Sequence, residues 1–295
     1  MKYTFKDFQG EYPDDAACLA KIMEIQHGTT NITCPGCGVV GAKFHAMTKR
    51  RAYACQDCGH HIYPCAGTIF EKSRTNLTKW FFAMYLMTST RHGVAAKELQ
   101  RQIGCTYKTA WRMAHELRKL MANADSQEPL SGHVEIDETL FGEVRHGGGK
   151  GKGPRAGKTI VFGIVERGGS VRAGSIPNTK METFRPIIQR NVEAGATIST
   201  DENPSYNILQ VSEYAHGAVN HRRKEYVSGI HHTNTIEGYW GHIKRSILGT
   251  HVHVSQKHLW KYLGEFGYRY NMRSSHTEMF NRLVASFSLP RLVEP

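Results

Sequence analysis

Two C-x-x-C pairs, Cys34-Pro-Gly-Cys37 and Cys55-Gln-Asp-Cys58, separated by seventeen residues, constrain what the first part of this chain can fold into. Thiolates are preferred ligands of structural zinc, and two knuckles joined by a β-hairpin bring four of them to the corners of a tetrahedron. Gly38 and Gly59 follow the pairs, where a knuckle turn needs a residue free to take positive φ. A redox motif explains one C-x-x-C but not two at this spacing. Cys18, Cys65 and Cys105 bring the total to seven, an odd number that speaks against a disulfide framework, and they read as small buried residues. The spacing predicts one structural zinc, with no open coordination position, held by Cys34, Cys37, Cys55 and Cys58.

A 295-residue chain with 40% hydrophobic and 22% charged residues has room for about two globular cores, so the ribbon is an appendage to something larger. Its net charge of +12 favours a polyanionic partner, because each neutralised phosphate releases condensed counterions. A membrane surface is the competing polyanion. No run of about 18 apolar residues is present, and the first residues lack a signal-peptide core, which predicts a cytoplasmic protein without a membrane partner.

Residues 93–118, GVAAKELQRQIGCTYKTAWRMAHELR, carry a helix-turn-helix pattern. Ala95, Leu99 and Ile103 mark the inner face of a first helix, Gly104 supplies the turn, and Thr106 is placed to cap a second helix. On that second helix Ala110, Met113, Ala114, Leu117 and Met121 form one apolar stripe. Tyr107, Lys108 and Arg112 fall opposite, where a recognition helix meets a major groove. A polar break at 123–129 ends this region, giving a ribbon with a helical lead-in over 1–70, the helical pair over 71–124, and a further domain over 130–295.

That last domain alternates strands with helices, the pattern of an α/β fold. His133 to Gly142 alternates as a strand with Glu135, Asp137 and Thr139 on one face; a carboxylate on a central strand is costly without a cation, making Asp137 a candidate metal ligand. Two further strands, 158–166 and 170–176, complete a meander, and a helix over 181–194 crosses to a strand ending at Asp201. That places Asp201 at a strand's carboxyl end, where sites in open α/β sheets lie. The segment 233–248, TNTIEGYWGHIKRSIL, reads as a helix with Ile236, Trp240, Ile243 and Ile247 buried. Glu237 and Lys244 lie two turns apart on the flank of that stripe. Three acids on two strands and a helix suit a pair of hard divalent ions, Mg²⁺ with Mn²⁺ as substitute, doing phosphoryl transfer.

The segments around Asp137 and Asp201, the stretch 231–245 (HHTNTIEGYWGHIKR), and the closing stretches 249–254 (GTHVHV) and 265–273 (EFGYRYNMR) resemble bacterial insertion-sequence transposases of the DDE type with an N-terminal zinc ribbon. The resemblance runs from Cys34 to about Arg282. It implies an RNase H-like catalytic fold with Asp137, Asp201 and Glu237 as the three acids and Lys244 as a basic residue on DNA. Some members resemble a pattern with Asn or His in third place, which leaves Asn234 and His232 as rivals to Glu237. Glu237 is preferred as the charged ligand with the right spacing to Lys244. The implied activity is hydrolytic cleavage at an element's ends, then attack of the freed 3′-hydroxyl on target DNA. Double-stranded DNA is the partner, with a homodimer or higher oligomer on it, around a bacterial nucleoid. A non-catalytic DNA-binding regulator, or an RNase H-like nuclease without strand transfer, are the alternative activities.

Further basic residues fit the same partner: Lys150 and Lys152 in the glycine-rich loop 147–158, and Arg222, Arg223 and Arg245 near the acids. The loop's Gly153-Pro-Arg-Ala-Gly-Lys-Thr159 is no phosphate-binding P-loop, having three residues between its glycines, not four, and leading into a strand.

Overall fold

The computed structural model describes residues 3–125, 128–142, 157–211 and 213–288; Lys150 and Lys152 lie outside them. The chain forms two compact units, Met1–Ala124 with Ser274–Pro295, and Asp125–Arg273.

The first unit begins with α1 (Phe5–Glu11) and α2 (Asp15–His27), each started by a side-chain cap, Thr4 on Asp7 N–H and Asp14 on Ala17 N–H. An antiparallel sheet follows, β1 (Asn31–Ile32), β2 (Ala42–Ala46), β3 (Tyr53–Cys55) and β4 (His61–Ile62), in sequence order. It is tied to the helices by one ion pair with a purpose: Arg51 donates to Ser73 O and Thr75 O and reaches Asp15 Oδ2 at 3.4 Å, while Asp15 Oδ1 accepts from Thr78 N–H at 2.9 Å. Then come α3 (Leu77–Ser89), α4 (Ala96–Ile103) and α5 (Tyr107–Ala124). Gly104, at φ +64°, closes α4 in the left-handed conformation that glycine takes without a Cβ penalty, and Thr106 Oγ1 accepts from Thr109 N–H at the head of α5. Leu99, Ile103, Ala110, Met113, Ala114, Leu117 and Met121 are buried as their spacing predicted, whereas Ala95 stays half-buried.

The second unit is built on a five-stranded mixed sheet. Strands β5 (His133–Phe141), β6 (Thr159–Glu166) and β7 (Val171–Ile176) form an antiparallel meander; α6 (Met181–Asn191) crosses over to β8 (Thr197–Thr200), and β9 (Ala215–Ala218) lies beyond it. The order is β7-β6-β5-β8-β9, with β8 parallel to both β5 and β9. Helices α7 (Asn234–Ser246) and α8 (Gln256–Asn271) complete it. Side-chain alternation along β5 and β6 assigns the two faces. Val134, Ile136, Phe162 and Ile164 pack with Phe184 and Ile188 of α6, while Val161 and Val165 pack with Ile236, Tyr239, Trp240 and Ile243 of α7 and Leu263 of α8. On β5 that second face carries Glu135, Asp137 and Thr139, so three polar side chains point at a helix whose stripe is apolar.

After α8 the chain returns to the first unit with α9 (His276–Ala285), where Phe280 stacks on Tyr3 at 4.9 Å and Phe287 meets Phe70 edge-on at 4.7 Å. The sequence pattern alone places residues 274–295 in the domain that starts at 130, whereas their contacts group them with the first unit. The apolar stripe of α9 is legible in the sequence, but not where it finds its cover. No helix among the described residues is long and apolar enough to cross a membrane.

Phe184 holds the α6 side together: it is fully buried between Phe162 at 4.7 Å and Tyr206 at 5.0 Å. Phe184→Ala should cost about 3–5 kcal/mol in chemical denaturation of the second unit, because transfer and cavity terms add.

Candidate functional site

The four predicted zinc ligands converge. The Sγ atoms of Cys34, Cys37, Cys55 and Cys58 all lie within 4.8 Å of one another, with Cys34 and Cys58 at 3.6 Å. Each pair sits in the same turn: Gly38 N–H donates to Cys34 O at 2.9 Å and Gly59 N–H to Cys55 O at 3.0 Å, with φ of +73° and +72° at the two glycines. Tetrahedral zinc at about 2.3 Å from each sulfur fits this donor set. The other cysteines lie outside the cluster, with Cys18 and Cys65 buried.

The acids occupy one end of the mixed sheet. Asp137 lies on β5 and Asp201 one residue beyond the end of β8, its parallel neighbour. Burial first, then the charges of Glu138 and Asp201, push the Asp137 carboxyl up to about 7. Burial raises Asp201 too, against the pull of the Asn203 backbone N–H. Two adjacent carboxylates that both hold their protons too tightly are short of positive charge, and a divalent cation is the group that would supply it.

Helix α7 is matched to β5 by polar contacts at three levels. Glu135, fully buried, accepts from the backbone N–H of Thr235 at 2.8 Å and of Ile236 at 3.1 Å, and from Arg167 Nε at 2.7 Å. Asp137 Oδ2 accepts from Trp240 Nε1–H at 3.0 Å, and Thr139 Oγ1 from Lys244 Nζ at 2.5 Å. Two residues along a strand advance about 6.6 Å and four along an α-helix about 6 Å, so positions 135, 137 and 139 keep step with 236, 240 and 244. Room for Trp240 comes from Gly163, opposite Asp137 in the β5–β6 register, where an added Cβ would stand 2.4 Å from the indole.

Glu237 lies one turn before Trp240, with its carboxylate half exposed; Thr233 Oγ1–H donates to it at 2.8 Å and His221 Nε2 stands 3.4 Å away. His221 also lowers Asp201 through its charge, so it links the helix acid to the strand acid. The three carboxylates are not drawn as close as the thiolates, since among the described residues only the cysteines bring three ligand atoms within 4.8 Å. Of the rivals, His232 turns Nδ1 toward Glu135 Oε1 at 3.1 Å, and Asn234 is exposed at the first turn of α7. Lys244 is lowered by burial, with Asp137 opposing, and lines a cleft of about 450 Å³ with Lys158, Glu138 and Thr139. Arg222, Arg223 and Arg245 are exposed, as are Tyr107, Lys108 and Arg112 on α5. Trp111 joins the α5 group, one turn after Tyr107, and its i, i+4 spacing could have revealed it.

Sequence reasoning grouped Glu135 with the ligands' face but not as the cap of α7, and took Trp240 as core without assigning its N–H. Gly163 gave no signal at all, because its need arises from a side chain 77 positions away.

The chain thus joins a four-cysteine ribbon to an α/β domain whose acids lie on or beside two adjacent internal strands of the mixed sheet. Residues 129–271 match the ISXO2-like transposase domain and residues 13–61 the transposase zinc-ribbon domain. An uncharacterized protein in transposable element ISH50 of Halobacterium salinarum is 29% identical over 255 residues, 81% of this chain and 85% of that one. An uncharacterized transposase-like protein of Haemophilus influenzae is 31% identical over 96 residues, 32% of this chain and 76% of its own length. The chain belongs to this family of zinc-ribbon transposases.

Two outcomes follow from these geometries. Cys55→Ser, or chelation, should take metal analysis from one zinc per chain to well below one and unfold β1–β4, because metal binding supplies a small ribbon's folding energy. For Asp137, a folded pKa near 7 lies above its ordinary value, so the fold gains from the bound proton at low pH and loses that gain as pH rises through 7. With Mg²⁺ withheld, Asp137→Asn should therefore match the wild type near pH 4 and exceed it by roughly 1–3 kcal/mol at pH 8 in urea denaturation.

Proposed function

We propose that this chain is a DDE-type DNA transposase, with an RNase H-like second unit that cleaves element ends and joins the freed 3′-hydroxyl to target DNA. One observation carries the reading: Asp137 on β5 and Asp201, just past the end of the parallel neighbour β8, stand beside each other, both half-buried and both with raised carboxyls. The meander followed by parallel strands, in the order β7-β6-β5-β8-β9, supports the RNase H-like assignment.

Asp137, Asp201 and Glu237 would hold the Mg²⁺ pair, and Mn²⁺ would fit the same oxygen donors. When bound, the pair supplies charge stabilisation to the attacking and leaving oxygens of an in-line displacement. The chain's own residues do the rest. Trp240 Nε1–H occupies Asp137 Oδ2 and fixes that carboxylate's orientation. Lys244, tethered by Thr139, presents an ammonium to a DNA phosphate beyond the acids. In cleavage, water's oxygen bonds to phosphorus and the 3′-oxygen leaves with a proton; in joining, that 3′-hydroxyl gives up its proton as its oxygen bonds to a target phosphorus, and the target 3′-oxygen leaves with a proton.

Recognition of the ends falls to the first unit. Helices α4 and α5, with Gly104 between them, support a helix-turn-helix, and exposed Tyr107, Lys108, Trp111 and Arg112 form the face that would enter a major groove. Arg222, Arg223 and Arg245, together with Lys150 and Lys152, would follow the DNA backbone. Two ends must be held at once, which calls for a homodimer or larger assembly on DNA.

The test incubates the pure protein with element ends, a plasmid target and Mg²⁺, and sequences the products. Asp137→Asn, Asp201→Asn and Glu237→Gln should each lower cleavage and joining by about 10²–10³-fold or more, with end binding little changed. Lys244→Ala should weaken DNA binding and reduce its salt slope by about one. Cleavage without joints would make the protein a nuclease, and loss of activity in Asn234→Ala but not Glu237→Gln would move the third ligand. Binding with no Mg²⁺-dependent products would make it a regulator.

A further inference from the structure

Between β9 and α7 the chain makes a loop, residues 219–233, from which the reading above takes His221, the arginines, His232 and Thr233 but nothing at its tip. Its base is held from several sides. Arg167, already paired with Glu135, donates from Nη1 to Ile230 O at 2.8 Å and from Nη2 to His232 O at 3.1 Å. His231 Nδ1 stands 2.9 Å from the buried Ser199 Oγ, and Gly217 lets that imidazole lie flat on β9, since an added Cβ would fall 2.3 Å from it. His221 N–H donates to Glu202 Oε2 at 2.9 Å. Ser228 and His231 exchange both backbone hydrogen bonds at 2.9 Å, closing a tight turn on Gly229 and Ile230.

The side chains at the tip contrast with this anchored base. Tyr226, Val227 and Ile230 are 57%, 54% and 62% exposed, three large apolar groups within five residues. Arg222, Arg223 and Lys224 are exposed beside them, and Glu225 is the single acid among them. A fixed backbone showing apolar groups to water, flanked by cations, is suited to a partner with anionic edges and an apolar interior. Stacked DNA has both, and apolar side chains that part a base step are a known way for proteins to deform it. The loop is also joined to the acids, because His221 at its start lies 3.4 Å from Glu237 Oε1.

We propose that residues 222–230 form a wedge that opens the DNA duplex beside the scissile phosphate, with Tyr226 stacking on an unpaired base, Ile230 parting the step, and Arg222, Arg223 and Lys224 on the adjacent phosphates. The proposal rests on the assignment of Asp137, Asp201 and Glu237 as the cutting site. Opening the step there would let one strand bend toward those acids.

The full-length protein is tested on a duplex carrying the element end, with 2-aminopurine beside the scissile phosphate. Wild type should raise the 2-aminopurine fluorescence, and so should Asp137→Asn, since opening does not need the metal ligands. Tyr226→Ala with Ile230→Ala should abolish that rise and slow cleavage of paired DNA by about tenfold or more. A duplex mismatched at the same step should restore cleavage to near wild-type rates, and Tyr226→Phe should behave as wild type. Tyr226 is 57% exposed with its ring 5.4 Å from that of His221, Ile230 is 62% exposed, and an unchanged melting curve checks the fold. Loss that the mismatch does not rescue, or an unchanged fluorescence rise, overturns the wedge. So does a double variant that cleaves normally but forms DNA complexes one chain smaller by light scattering, which would make the tip a contact between copies. Absence of cleavage by the wild type on either duplex strikes at the assignment of the acids instead.

Discussion

The buried carboxylate of Glu135 is the contact on which the arrangement of the second unit depends. A charge taken fully out of water costs several kcal/mol unless it is matched on every side. Here the match comes from Arg167 and from two backbone N–H groups at the start of α7, where the helix dipole also favours a negative charge. The partners are worth having only in one arrangement, so Glu135 fixes the height of α7 on the sheet. Trp240 and Lys244 then fall opposite Asp137 and Thr139 without further adjustment. Arg167 adds a third partner in the carbonyls of Ile230 and His232, extending the same constraint into the loop before α7.

What could be read from the sequence was local. The cysteine spacing, the stripe of α5 and the turn at Gly104 follow from rules that act over a few residues, and they appear in the structure where they were expected. The strand bearing Asp137 and the strand that ends just before Asp201 were legible because apolar alternation and turn residues bracket them. What escaped were relations between distant segments. Glu135 lies a hundred positions from Thr235, and nothing near it says that it caps a helix instead of binding a ligand. Gly163 is required only because Trp240 crosses it. The stripe of α9 is plain, but amphipathic helices do not carry the address of their partner, and the cover of this C-terminal segment comes from far earlier in the chain, as with Tyr3 and Phe70.

The electrostatics of the acids and of their surroundings are divided by depth. Asp137 and Asp201 sit where burial penalises charge, while Glu237 is half exposed and steadied by Thr233 and His221. The charged form is thus disfavoured at the half-buried pair, while the helix acid keeps the freedom of a side chain in solvent. Basic groups reach these acids, with Lys244 and Lys158 in the cleft beside Glu138 and Arg222 3.4 Å from Glu202, in a chain of charge +12.

The equal stride of β5 and α7 has a consequence for how this domain can change its length. Insertion of one residue into α7 between Ile236 and Trp240 would rotate everything beyond it by about 100°, turning Lys244 away from Thr139. The same insertion in β5 would send Asp137 to the α6 side of the sheet, because neighbouring strand residues face opposite ways. Substitutions can be absorbed one position at a time, but the two segments can be lengthened only in whole repeats of both together. The distance from Glu135 to Thr139 and from Ile236 to Lys244 is therefore a fixed gauge, and growth or loss of sequence in this domain is confined to the connections outside it.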